Sequence, residues 1–244
     1  MKLDFQSDNL IRLKGPTDEA LQTPITGATV TLRVYDAASH GEVAVLATRL
    51  TASAAAAATV LAVESNAFFA SPQAIELELD DGTLFSTTIA SVAGTTTITL
   101  SAGLPSAASA FRRLLRPLHA TGSTVLVLGQ GQGLRFQIAD TVEVLQNDLS
   151  RHVTTVSNRG TDHVLLAAAT TQPVGVAQRL RRKLGGDIAM AQYGTPVAND
   201  DTWGYQGTVP ENHAGLLPGL SVDLEISLSS GAIQLVETLH AVVL

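Results

Sequence analysis

Ala74-Ile75-Glu76-Leu77-Glu78-Leu79, then Asp80-Asp81-Gly82, then Leu84 to Val92 (LFSTTIASV) is the stretch that decides the fold class. Apolar residues alternate with acids on the first arm, which is the period of a half-buried strand. A Gly that tolerates positive φ closes the turn, and a second apolar and Thr-rich arm follows. A hairpin is therefore predicted over residues 74–92. The same alternation, bounded by Gly, Asp, Asn and Ser, predicts strands at 28–35 (ATVTLRVY), 42–47, 59–63, 95–100, 124–128, 141–145, 152–157 and 162–167. A second hairpin is predicted where 221–228 and 232–242 flank Ser229-Ser230-Gly231. Helical periodicity does not persist beyond a turn or two. The expected fold class is all-β, built of tandem small barrel or sandwich units with hairpins and one long irregular loop.

The middle of the chain carries an internal repeat. Thr87-Thr88-Ile89 aligns with Thr154-Thr155-Val156, Ile75-Glu76-Leu77 with Val142-Glu143-Val144, and Phe69 with Phe136. After a one-residue adjustment, Gly94 meets Gly160, Ile98 meets Val164 and Leu100 meets Leu166. The copies end alike, in FRRLLRPL from Phe111 and AQRLRRKL from Ala177. The organisation that follows is N-terminal strands over 1–57 that can pair with the C-terminal ones, a first β repeat over 58–120, a second over 121–186, and a loop with a C-terminal hairpin over 187–244.

The 244 residues are 45% hydrophobic but only 15% charged and 4% aromatic. A typical domain is about 25% charged, so part of this surface is expected to be covered by other protein. There is no cysteine, which excludes disulfides and thiolate metal sites. The opening MKLDFQSDNL lacks the apolar core of a secretory signal. No apolar run approaches the roughly 18 residues of a membrane helix, so no membrane partner is expected.

Charge is segregated along the chain. Residues 1–110 carry a net −6, residues 111–183 a net +6, and residues 184–244, which hold no Lys or Arg, a net −7. The basic groups that end the two repeats, Arg112, Arg113 and Arg116 with Arg179, Arg181, Arg182 and Lys183, are candidates for an interface with an acidic protein surface. Pairing with acids of the same subunit is the equally weighted alternative. Specific nucleic-acid binding is not expected, because the net charge is −7 and no aromatics interleave with the arginines.

Constellations for catalysis are not recognisable. None of the six histidines has metal-ligand spacing. Gly129-Gln130-Gly131-Gln132-Gly133 lacks the GxGxxG spacing and a following helix, and no GxSxG elbow exists. Asp80-Asp81 belongs to a turn. Asp200-Asp201 lies in a loop without a calcium-loop pattern. No catalytic residue, metal or cofactor is expected. The turn-rich segment 185–218 holds the only Trp, and Trp203, Tyr205, Asp200 and Asp201 are candidate loop contacts. The alternative for the two aromatics is that they plug a barrel end.

Ser7-Asp8-Asn9-Leu10-Ile11-Arg12-Leu13, followed by Ile25-Thr26-Gly27-Ala28-Thr29-Val30-Thr31-Leu32 and Tyr35-Asp36, resembles the start of small structural proteins of tailed bacteriophages. Gly27 departs from that pattern, which has an acid there. The resemblance implies a non-enzymatic virion protein of the neck, tail or capsid surface, a symmetric oligomer whose partners are copies of itself and other virion structural proteins. It implies residence in the virion after synthesis in the host cytoplasm. A carbohydrate- or receptor-binding β module using the Trp203/Tyr205 loop is the rival expectation.

Overall fold

The structure, a computed structural model, describes residues 2–3, 8–18, 23–116, 118–119, 121–198, 200, 202–211, 213–230 and 233–244. It is all-β: among the described residues the only helical element is a 3-10 turn at Gln132–Arg135. Two compact units form, one from Met1–His40 with Arg181–Leu244, the other from Gly41–Leu180.

In the second unit, six strands of the first repeat lie in the order Leu46–Arg49, Arg113–Arg116, Ala74–Glu78, Leu84–Ala93, Thr97–Leu100, Val60–Ala62. A bridge between Leu50 and Val63 joins the two end strands, so the sheet curls back on itself into a small barrel. Leu50, Leu61, Leu77, Leu79, Ile89, Ile98 and Leu114 fill it. They are the inward residues of each alternation, which is why period two suffices to specify this core.

The sequence offsets reappear as hydrogen-bond register. Ile75 faces Thr87 in the first repeat as Val142 faces Thr154 in the second. Leu100 faces Ile89 as Leu166 faces Val156, and both ladders then shift register, skipping Ala90 and Ser157. The two bulges match, and the one-residue adjustment falls in the turn beyond them, where seven residues separate Ser91 from Thr99 and six separate Asn158 from Leu165. The closing contacts also match. Phe111 N–H donates to Leu50 and Ala177 N–H to Val43, and Phe111 and Ala177 both adopt left-handed φ, +70° and +68°. The strand segment that closes the second repeat, ending at Val43, therefore precedes the whole first repeat in the chain.

The hairpin turns correspond as well. Asp81 Oδ1 accepts from the Thr83 N–H at 2.9 Å, and Asp148 Oδ1 from the Ser150 N–H at 3.0 Å. Gly82 has φ +82°, and its counterpart Leu149 has φ +66°. A left-handed non-glycine residue costs roughly 1–2 kcal/mol. Leu149→Gly should therefore raise stability by roughly 0.5–1 kcal/mol once the greater freedom of Gly in the unfolded chain is subtracted. Gly82→Val should lower it by about 1–2 kcal/mol. Urea titrations of both variants check this, and equal midpoints would contradict the shared turn geometry.

The first unit is a sandwich. Its larger sheet places side by side Lys2–Leu3, Ile233–Val243, Ser221–Ser230, the strand Thr29–Glu42 as far as His40, and the strand Arg179–Ala189 from Arg181 on. The smaller sheet has the order Ala191–Tyr193, Gly204–Val209, Asn9–Lys14. Ile11, Trp203, Tyr205 and Val209 pack against Leu32, Val34, Leu224 and Ile226 between them.

Two expectations need correction. Residues 41–57 belong with the repeats rather than with the N-terminal strands, and the end of the second repeat, from Arg181, belongs to the sandwich. Strands of 14 and 11 residues run through these positions and leave no turn residues to mark them. The segment 185–218 is also less irregular than its composition implies. It contains the end of one strand and the whole of Ala191–Tyr193 and Gly204–Val209. Gly204 and Gly207 break the alternation there, and most of GYQGTV is buried on both faces.

Candidate functional site

All but Arg179 of the basic residues that end the repeats are engaged within their own units. Arg112 Nε donates to Asp80 at 2.9 Å, and Arg113 lies 3.6 Å from Glu78. In the sandwich, Arg181 pairs with Glu225 at 2.7 Å while its guanidinium stacks 3.7 Å from the Tyr35 ring centroid. Arg182 pairs with Asp36 at 3.2 Å, and Lys183 with Asp187. Arg33 also reaches Asp187, at 3.1 Å, and Arg33 and Lys183 together hold that carboxyl below its ordinary pKa against the opposing effect of burial. Arg179 is exposed. Arg112, Arg113 and Arg116 belong to one unit and Arg181, Arg182 and Lys183 to the other. Arg113 and Arg182 reach acids on the neighbouring strand, Arg181 reaches across the strand of Tyr35 to Glu225, and Lys183 pairs along its own strand.

The loop contacts expected at Trp203 and Tyr205 are not surface groups. Trp203 is 0% exposed, and its Nε1–H donates to the Val197 carbonyl at 2.6 Å. The buried Tyr205 hydroxyl donates to the Ile25 carbonyl at 3.2 Å and accepts from the Ala28 N–H at 3.3 Å. Both aromatics have found the partners that buried polar tips require. Asp200 caps a turn, accepting from the Thr202 N–H at 2.8 Å. Asp201 lies outside the described residues. Among the described residues, no three His, Asp or Glu side chains gather as a metal site would need.

Arg116 has a different role from its neighbours. It is 3% exposed and borders a groove of about 620 Å3 in the second unit, beside Phe68, Gln73 and Ser123. Its Nη1 donates to the Phe68 carbonyl at 2.9 Å and its Nη2 to Ser123 Oγ at 3.0 Å. It thereby ties the Phe68 turn, where φ is +68°, to the segment that opens the second repeat. Nδ1 of His119 lies 3.1 Å from the Val125 carbonyl and 3.4 Å from Arg116 Nη2.

Burial, and then the charge of Arg116, lower the pKa of His119 from 6.5 to about 4. The unfolded chain therefore binds a proton that the folded unit refuses. Stability is full above pH 6.5, falls as pH drops toward 4, and levels off below it. The loss is roughly 3 kcal/mol at 1.36 kcal/mol per pKa unit. Denaturant titrations at pH 7.5 and 4.5 should show a smaller acid loss in His119→Gln than in the wild type. Parallel losses would rule out His119 as the cause.

The first unit contains a feature that sequence reading missed. A groove of about 600 Å3 runs between Arg12–Pro16 and the final hairpin, and Ile226, Leu228, Leu235 and Val236 line it. Leu235 is 47% and Val236 61% exposed. The last strand, Ile233–Val243, pairs on one side with Ser221–Ser230. On its other side, among the described residues, only Lys2–Leu3 pairs with it, at Val242 and Val243. One signal was available: residues 233–244 contain no Lys, Arg or Pro and a single charged residue, Glu237, where sheet edges are usually guarded by charges and Pro. No protein-family model matches this chain, and no curated protein matches it.

Proposed function

We propose that the chain is a non-enzymatic structural building block that assembles with copies of itself and with neighbouring structural proteins, as in the head–tail connection, tail or capsid surface of a tailed-phage virion. The observation that carries this reading is the last strand of the sandwich, which among the described residues pairs on its outer side only with the short Lys2–Leu3 strand and presents Leu235 and Val236 to solvent. Such an edge is a template for pairing with another chain, and monomeric proteins blunt it. The low charge content and the phage-like opening of the sequence support the same role. A carbohydrate- or receptor-binding module rested on Trp203 and Tyr205, and their burial removes its aromatic platform. Light scattering of the purified protein, with negative-stain images, should show a symmetric oligomer. A monomer at every concentration would overturn the proposal.

A further inference from the structure

We infer that the loop over residues 134–138 of one copy docks on the outer face of the strand Val60–Ala62 in the next copy, so that the contact joining the two repeats recurs between subunits. This rests on the self-assembly reading and adds a second surface to it. Inside the unit Gly41–Leu180 the repeats meet loop against strand. The Phe68 and His163 ring centroids are 4.5 Å apart. Arg116 ties the Phe68 carbonyl to Ser123, and residues 68–74 and 121–125 form two walls of the groove beside it. Val127 alternates with Leu126, which faces the core of the second repeat, so Val127 points outward and packs into the hydrophobic cluster of the first. A loop of the first repeat thus covers a strand face of the second.

Each side of this contact has a counterpart in the other repeat. In the loops, Gln73 Oε1 accepts from the Ala70 N–H at 2.8 Å as Asp140 Oδ2 accepts from the Gln137 N–H at 2.7 Å, and Phe69 and Phe136 are both buried. In the strands, Leu61 faces Ile98 as Leu126 faces Val164. Just before them Ala57 and Gly122, at φ +66° and +83°, donate their N–H to Leu104 and Thr170. Val60 and Ala62 therefore stand where the second repeat has Val125 and Val127. Neither counterpart is covered. Leu134 is 57% and Ile138 63% exposed in the loop, while Val60 is 58% exposed and Ala62 is exposed where Val127 is buried.

The occupant of each surface is a second copy, because the chain itself already contains the matching pair. The composition of the strand face agrees. Residues 50–63 and 83–111, which supply that strand and its neighbours, hold no charged residue. An apolar loop seated there buries Leu134 and Ile138 without stranding a charge. The low charge of the whole chain is thus concentrated where a neighbour would sit. A loop meeting a strand face is a contact between two different surfaces, so it is heterologous and repeats from copy to copy, closing a ring where the rotation allows.

The chain has no cysteine, so each introduced cysteine reports one position. When Val60→Cys and Ile138→Cys chains are co-expressed, a short bismaleimide should link them into dimers holding one of each, and neither variant alone should link. Leu134→Cys should serve in place of Ile138→Cys with the same result. Ala62→Asp in the Val60→Cys chain should cut the mixed linking about tenfold or more, because it buries a charge in the contact, with circular dichroism and melting unchanged. A wild type that stays monomeric at every concentration would overturn both this inference and the assembly reading. A wild-type oligomer without mixed linking would overturn the inference alone. So would equal linking within either variant by itself, or mixed linking that Ala62→Asp leaves undiminished.

Discussion

Trp203→Ala should destabilise the sandwich by about 3–5 kcal/mol, the range for deleting a large aromatic side chain from a packed core. Trp203 is the largest of the fully buried side chains. The chain closes around it. Gly15 N–H donates to the Trp203 carbonyl at 2.9 Å, and a Cβ on Gly15 would lie 2.1 Å from the indole ring. A Cβ on Gly194, at φ +71°, would lie 2.3 Å from the Thr202 carbonyl oxygen. Gly15→Ala should therefore displace the ring and cost a comparable amount, through overpacking rather than through a cavity. As the only Trp, residue 203 reports the unfolding of its own unit by fluorescence in Gly15→Ala, whereas circular dichroism must follow Trp203→Ala. Melting of the sandwich at the wild-type temperature in both variants would contradict the packing described.

Arg181→Glu should cost about 3–5 kcal/mol, the range for breaking a buried ion pair by removing one partner. Glu225 is buried, and its Oε2 is held by Arg181 at 2.7 Å. The substitution would remove that cation, abolish its stacking on Tyr35, and set a second carboxylate beside the first. Adding Arg179→Glu and Arg182→Glu would further strand Asp36, which is also buried. The expected outcome is a triple variant that melts early while its assembly state by light scattering is unchanged. Release of a stable, folded monomer would instead restore the arginines as an assembly interface. High salt should affect these partly buried pairs less than it affects exposed ones.

Much of this architecture was legible in local patterns. Alternation in 74–79 and 84–92, with Gly82 between, specified a hairpin because each side chain on a strand chooses one of two faces. The repeat was readable for the same reason. Two segments with matching inward residues fold to matching registers, down to the bulges at Ala90 and Ser157. Even the turn at Leu149 follows its counterpart at Gly82, although no side-chain preference there signals left-handed backbone.

Long-range choices were decided only in the folded chain. Nothing local tells whether Trp203 faces a partner or a core. It is buried because Asn9–Lys14 pairs with Gly204–Val209, bringing Gly15 against the ring. The +6 segment looked like a binding face in the linear charge profile, yet Arg181 and Arg182 find Glu225 and Asp36 on strands distant in sequence. Barrel closure through Leu50 and Val63, and the nesting of one repeat after the strand that closes the other, likewise depend on which strands meet. Alternation and turn chemistry act over a few residues and fix what each strand presents to its two faces. Which strand lies beside it is a contest among all strands of the chain, settled by the burial that only the complete sheets provide.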